Sequence, residues 1–99
     1  LFAAGLHPRS RPGDLSASEL RTLAEVARTL ARRSFESGGI TTELALAERL
    51  KAEGARRREY RHEVFGRAGR SCRACGATIQ RETDSGRRLY RCPTCQPAP

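Results

Sequence analysis

Four cysteines set as two Cys-x-x-Cys pairs constrain this chain more than any other feature. The pairs are Cys72-Arg73-Ala74-Cys75 and Cys92-Pro93-Thr94-Cys95, with sixteen residues between them. A Cys-x-x-Cys turn brings two thiolates to one side, where its own amide N–H groups can donate to sulfur. Two such knuckles close a tetrahedral cage around one ion. Zn2+ is the ion this spacing predicts, with iron as another metal that four thiolates suit. Cys72, Cys75, Cys92 and Cys95 fill all four positions, so no site remains for water or substrate and the metal is expected to be structural. Two disulfides are the competing reading, disfavoured in a reducing compartment. A redox pair would explain one Cys-x-x-Cys and leave the other idle.

A staple of this kind is needed. A chain of 99 residues, 37% apolar and without Trp or Met, cannot build a large water-excluding core. Folding of residues 66-99 should therefore be conditional on the ion, whose apparent binding free energy is on the order of 10 kcal/mol. Between the two knuckles, Thr78-Ile79-Gln80-Arg81 and Arg88-Leu89-Tyr90-Arg91 flank the turn residues Asp84-Ser85-Gly86. That pattern predicts a β-hairpin.

Upstream the pattern is helical. Two prolines and a glycine in His7-Pro8-Arg9-Ser10-Arg11-Pro12-Gly13 forbid a continuous helix and predict a double turn. Ser16-Ala17-Ser18-Glu19 is a capping box. Behind it Leu20, Leu23, Ala24, Ala27, Leu30 and Ala31 recur at the spacing of one helical face, and Gly38-Gly39 supplies a left-handed stop. These signals predict a helix from about 17 to 36. Leu44, Ala47 and Leu50, with Gly54 as terminator, predict a weaker second helix or structured loop, and Tyr60 to Phe65 reads as a short extended link. The opening Leu1-Phe2-Ala3-Ala4-Gly5-Leu6 reads as the last turns of a helix already under way, so the chain reads as an excerpt from a longer protein. The fold class expected is small α+β.

The charge is lopsided. Lys plus Arg number 19 against 11 acids, giving +8, and Lys51 is the only lysine. The balance is +2 over residues 1-40, +1 over 41-65 and +5 over 66-99. A phosphate-rich partner is the natural match. Arg81, Arg87, Arg88 and Arg91 lie on or beside the hairpin, and Arg67, Arg70 and Arg73 surround the knuckles, opposed only by Glu82 and Asp84. A guanidinium donating two parallel hydrogen bonds is suited to clasping phosphate. Strand alternation sends Arg87 and Arg88 to opposite faces, so one of them should reach out at the turn. The helix N-terminus at Ser16 is a further place where amides can receive phosphate oxygens. The bland alternative is that these arginines only keep a small finger in solution. The Arg56-Arg57-Arg58 run reads as a solvated helix face or loop. Phe2, Phe35, Tyr60, Phe65 and Tyr90 are too scattered for a base-stacking platform and read as core. His7 and His62 read as hydrogen-bonding loop residues. No stretch approaches the length of a membrane span and no signal-peptide pattern is present, so a soluble, cytoplasmic protein is expected.

Several segments in this order resemble the C-terminal half of the formamidopyrimidine-DNA glycosylase and endonuclease VIII family. They are Phe2-Ala3-Ala4-Gly5-Leu6-His7-Pro8, the Pro-Gly turn, the capped helix, Ser37-Gly38-Gly39, Val64-Phe65-Gly66-Arg67-Ala68-Gly69 before Cys72-x-x-Cys75-Gly76, and Tyr90-Arg91-Cys92-Pro93-x-Cys95-Gln96. The resemblance covers nearly the whole chain. It implies a helix-two-turn-helix DNA-binding module over 1-39, a linker with a possible short helix over 40-65, and a four-cysteine zinc-finger hairpin over 66-99. It further implies that Leu1 to Leu6 end the module's first helix, and that Arg87, five positions before the third cysteine, contacts phosphates beside an everted nucleotide, with Arg88 as its rival. Arg67 beside the knuckle and Ser16 at the helix N-terminus are further DNA-contact candidates on the residue reading above. The expected partner is duplex DNA with a damaged base or abasic site, bound by a single copy of the protein. The family's catalytic proline amine, glutamate and lysine belong to an N-terminal domain and have no counterpart here, so no catalytic residue is assigned. Residues 40-63 look closer to the endonuclease VIII branch, which prefers oxidised pyrimidines. The rivals are a non-enzymatic zinc-ribbon protein binding nucleic acid, and a protein-interaction module using the apolar faces of residues 1-6 and 44-50.

Overall fold

The computed structural model describes residues 1–98. In chain order it contains a 3-10 turn at Phe2–Ala4, a second at Pro12–Asp14, helix α1 (Ala17–Ser37), helix α2 (Leu44–Ala52), a single helical turn α3 (Arg57–Tyr60), and strands β1 (Gln80–Asp84) and β2 (Arg87–Arg91). Both 3-10 turns precede α1 because Pro8 and Pro12 break the chain there, and His7 Nδ1 accepts from the Arg9 amide at 3.0 Å to fold the first corner.

Helix α1 starts where the capping box places it. Ser16 Oγ accepts from the Glu19 amide at 3.0 Å, and the Glu19 carboxylate accepts from the Ser16 amide at 2.9 Å. It stops at Gly38, whose φ of 72° is the left-handed conformation that a residue with a Cβ adopts only at a cost. The buried face differs from the expected one. Leu23, Val26, Leu30, Arg33 and Ser37 are half-buried, whereas Leu20, Ala24, Ala27 and Ala31 face solvent. Among the described residues none of α1 is fully buried. Among the described residues, α1 packs against the 3-10 turn at Phe2–Ala4, and the half-buried side is the one that carries Leu23, Val26 and Leu30.

Tyr60 to Phe65 is not an extended link. Tyr60 closes α3 and is buried, and residues 61–65 bend around it. The arginine run is exposed, as a solvated helix face is, but one of its members, Arg57, reaches back to α1 together with Arg61 beyond the run. Arg57 Nη2 donates to the Gly38 carbonyl at 2.6 Å and Arg61 Nε to the Gly39 carbonyl at 2.8 Å, so α3 supplies cations to the C-terminal end of α1. The amides of Thr41 and Thr42 both donate to the Arg61 carbonyl, at 2.9 and 3.2 Å, and Arg33 Nη1 donates to the Thr41 carbonyl at 2.9 Å. The segment between α1 and the first knuckle is thereby stitched to α1 as a brace.

Strands β1 and β2 pair antiparallel with Asp84 opposite Arg87 and Gln80 opposite Arg91. Asp84 lies in the ladder, leaving a two-residue turn at Ser85-Gly86 with φ of 51° and 78°. Two consecutive positive φ angles match the right-handed twist of the strands, which is why glycine stands second. Beneath the hairpin, Cys72, Ile79 and Cys92 form the buried cluster, packed by Phe2, Val64, Ala77, Tyr90 and Cys95. The aromatic residues do not all join it: Phe35 is 89% exposed and Phe65 59%. The apolar faces suggested for partner binding are partly consumed, since Leu6 and Ala47 are buried in the chain's own interior.

Candidate metal centre and basic hairpin

The sulfurs of Cys72, Cys75, Cys92 and Cys95 all lie within 4.8 Å of one another. Cys72 and Cys95 are 3.9 Å apart and Cys75 and Cys92 3.3 Å, so none is disulfide-bonded. A tetrahedral ion with metal–sulfur bonds of about 2.3 Å requires sulfurs about 3.8 Å apart, which this cluster approximates. The knuckles are built alike. In the first, the Gly76 amide donates to the Cys72 carbonyl at 2.8 Å; in the second, the Gln96 amide donates to the Cys92 carbonyl at 2.9 Å. Each also turns an amide toward sulfur: Ala77 to Cys75 at 3.5 Å and Cys95 to Cys92 at 3.4 Å.

Four thiols in this space cannot all ionise without a cation among them. Burial pushes the Cys92 thiol up, but the Cys95 amide, the Cys75 thiol and the Thr94 amide outweigh it and bring it to about 7. Cys95 moves the other way, pushed up to about 12 by burial and by the neighbouring thiols. The Cys92 thiol gives up its proton readily while that of Cys95 resists, and a divalent cation removes that conflict as it displaces the protons. The four cysteines can therefore hold a metal ion, with every position of the cage filled by protein sulfur.

The second knuckle is fastened to the other end of the chain. Gln96 is 1% exposed; its Oε1 accepts from the Cys92 amide at 3.0 Å and its Nε2 donates to the Leu6 carbonyl at 2.8 Å. Glu82 on β1 makes the other long-range tie, accepting from Arg9 in the double turn at 3.0 Å and pairing with Arg91 on β2 at 3.4 Å. The sequence reading missed both roles. The Gln96 position was visible only as part of the Cys-x-x-Cys-Gln string, and nothing local marked Glu82. Arg91, followed by Arg9, holds the Glu82 carboxyl below the ordinary carboxylate range. Because the folded value is depressed, the contact stabilises above the unfolded value and is lost as pH falls through the folded one. Acidification through and below the ordinary carboxylate range is expected to loosen the hairpin from the double turn, seen as movement of the Arg9 and Arg91 side-chain resonances. Glu82→Gln should abolish that pH response while leaving the cage intact.

Arg87 and Arg88 both sit in the regular ladder of β2, on opposite faces of the hairpin, and both are exposed. Neither leaves the ladder to reach out at the turn, as one of them was expected to do. Arg87 shares its face with Glu82, Asp84 and Leu89, and Arg88 shares the other with Arg81, Thr83 and Tyr90. Among the described residues neither makes a side-chain hydrogen bond or ion pair. Arg67 is placed differently. It is buried, its Nη1 donates to the Glu63 carbonyl at 2.5 Å and its Nη2 to the Ser71 carbonyl at 2.7 Å. Burial, and then the Arg73 charge, hold its pKa below the usual guanidinium range. It cannot swing out as a hairpin arginine can. Ser16 is likewise committed, with hydroxyl and amide both engaged by Glu19, whose carboxylate stands where an anion would approach. His7 and His62 are loop residues, the latter with Nδ1 at 2.7 Å from Thr41 Oγ1.

A four-thiolate finger carrying a basic hairpin, seated on a capped helix with a double turn before it, is the class of structure that these elements define. Comparison with known proteins gives that class a family. The chain is 37% identical over 97 residues to formamidopyrimidine-DNA glycosylase of Edwardsiella ictaluri, and 35% identical over 96 residues to that of Herpetosiphon aurantiacus. Each alignment covers 97% of this chain, but only 35% and 34% of the relative, so the chain spans about a third of their length. Among solved structures, the Lactococcus lactis Fpg bound to DNA containing an abasic site superposes with a TM-score of 0.76 at 26% identity, over 99% of this chain and 34% of that one. MutM (Fpg) of Thermus thermophilus gives 0.75 at 32% identity, over 97% and 36%. No protein-family model matches the chain. In sequence and in fold this chain is homologous to the C-terminal part of the formamidopyrimidine-DNA glycosylases. Among the described residues no helix is long and apolar enough to cross a membrane.

Proposed function

We propose that this chain is the DNA-clamping part of a base-excision-repair glycosylase and AP lyase, gripping duplex backbone around a damaged base flipped out of its stack. The observation that supports it most is the hairpin: two exposed arginines without partners among the described residues, on a tight turn held by a four-cysteine cage and tied to the helical platform through Gln96 and Glu82. Zn2+ held by Cys72, Cys75, Cys92 and Cys95 would supply rigidity and no reaction chemistry, since thiolates occupy every position. Residues 1-39 act as the platform, 40-65 as the brace and 66-99 as the finger. Extruding a base costs a few kcal/mol, offset by contacts to the distorted backbone. Arg87 and Arg88 make those contacts; Ser16 and Arg67 serve by holding α1 and the first knuckle in place. No catalytic residue is assigned among these 99, and a protein working on duplex DNA in this way acts in the cytoplasm, at the nucleoid if the cell is bacterial. Solved relatives are described in complex with DNA containing 8-oxo-G, FAPY-dG, an abasic site or an oxidised pyrimidine, which makes an oxidised or lost base the lesion class to test.

The metal-loaded chain is expected to bind abasic-site duplex with log affinity falling linearly against log salt, and not to cut it. Arg87→Ala should cost about 1 to 3 kcal/mol of that binding, the range for hydrogen bonds to charged groups. Fluorescence anisotropy on abasic and intact duplexes measures both. An unchanged affinity would remove Arg87 from the interface, and equal affinity for the two duplexes would favour a non-enzymatic zinc ribbon instead.

A further inference from the structure

Away from the hairpin tip and the cage, a cavity of about 460 Å3 opens between the end of α2, α3 and the turn leading into the first knuckle. Four guanidinium groups line it: Arg58, Arg67, Arg70 and Arg73. They divide into two kinds. Arg67 and Arg73 are held rigid, Arg67 by the carbonyls of Glu63 and Ser71, Arg73 by those of His62 and Glu59. Arg58 and Arg70 are exposed, and among the described residues their side chains have no hydrogen-bond or ion-pair partner. Among the described residues, two carboxylates oppose them. Glu59 lines the cavity but accepts from the Arg56 amide at 3.3 Å, and Glu63 stands 3.5 Å from Arg73. Two positive charges are left over in a concave, partly desolvated space, an arrangement that costs self-repulsion unless an anion relieves it.

We infer that this cavity is a phosphate site, with Arg67 and Arg73 as a fixed positive floor and Arg58 and Arg70 closing over the bound group. The fixed pair spends two of its donors per guanidinium on carbonyls and keeps its charge, while the mobile pair is free to donate two parallel hydrogen bonds each. The phosphate is either a backbone phosphodiester of DNA or free inorganic phosphate. Both have the same tetrahedral oxyanion chemistry, and the site stands on its own lining, independent of the hairpin contacts proposed above.

The test uses the metal-loaded 99-residue chain at constant ionic strength. Inorganic phosphate should move the arginine side-chain resonances of Arg58, Arg67, Arg70 and Arg73 along one saturation curve. The double variant Arg58→Ala/Arg70→Ala, which removes no contact of the fold, should weaken that curve by roughly tenfold or more, as loss of charge-assisted bonds requires. Arg87→Ala should leave it unchanged. With a duplex in place of phosphate, movement of the same four resonances and a salt slope flatter by roughly one to two units in the double variant would identify the source as DNA backbone. Movement with inorganic phosphate alone would identify a free phosphate site. If the four resonances respond to neither probe, or the double variant binds inorganic phosphate as tightly as the parent, the inference is wrong.

Discussion

Exhaustive chelation is expected to unfold residues 66–96 and to release Phe2 and Val64 from them, while α1 keeps its capped N-terminus. The buried cluster is built around the cage: Cys72 and Cys92 are two of its three buried members, with Ile79 as the third, and Cys95 packs against them. A two-stranded sheet is not stable alone in water, so β1 and β2 depend on that cluster for their pairing. Metal binding on the order of 10 kcal/mol is larger than the remaining apolar contacts of so small a unit can supply. The Ile79 amide, bonded to the Arg70 carbonyl at 2.9 Å, is the reporter. Its protection from hydrogen exchange should vanish on chelation and return with one equivalent of Zn2+, and Cys92→Ser should behave as the chelated chain without any chelator. Retained protection in the chelated protein would show that burial alone holds the finger.

Gln96→Ala should be the most damaging substitution outside the cage, costing about 2 to 4 kcal/mol of the metal-loaded fold. It leaves two buried groups unpaired, the Cys92 amide and the Leu6 carbonyl, at about 1 to 3 kcal/mol each, partly relieved by water entering the space. Gln96→Glu isolates the second bond. It keeps an acceptor for the Cys92 amide but sets a carboxylate oxygen against the Leu6 carbonyl, so it should destabilise at least as much as alanine despite its shape. Urea unfolding of the Zn2+-loaded variants measures both. A melt within about 0.5 kcal/mol of the parent, the range of ordinary surface changes, would mean that Leu6 and the second knuckle are held by packing and not by this side chain. The consequence for DNA binding follows from the geometry: without Gln96 the finger keeps its metal but loses one of the two hydrogen-bonded ties to the platform found among the described residues, so affinity should fall even where Arg87 is intact.

The elements that were legible in the sequence are those set by neighbours a few residues apart. Two Cys-x-x-Cys turns, Ser16 with Glu19, Gly38 after a helical run and Ser85-Gly86 between two strands each carry their own geometry, and the structure places a four-sulfur cluster, α1 and the hairpin accordingly. What the spacing left undecided was direction and partnership. Alanines and leucines on α1 satisfy the same helical period on two sides, and the tertiary packing, which sets the Phe2–Ala4 turn against α1, leaves Leu23, Val26 and Leu30 as the half-buried ones. The Arg56-Arg57-Arg58 run is solvated, and the one bond that Arg57 makes from it was hidden because its acceptor, the Gly38 carbonyl, lies 19 residues away in the chain. Gln96 is the extreme case, bonding Leu6 across 90 residues. Short-range steric and hydrogen-bond preferences are written into adjacent residues, whereas a buried side chain acquires its partner only when the whole chain has closed, and that closure chose which arginines brace the fold and which remain free to meet phosphate.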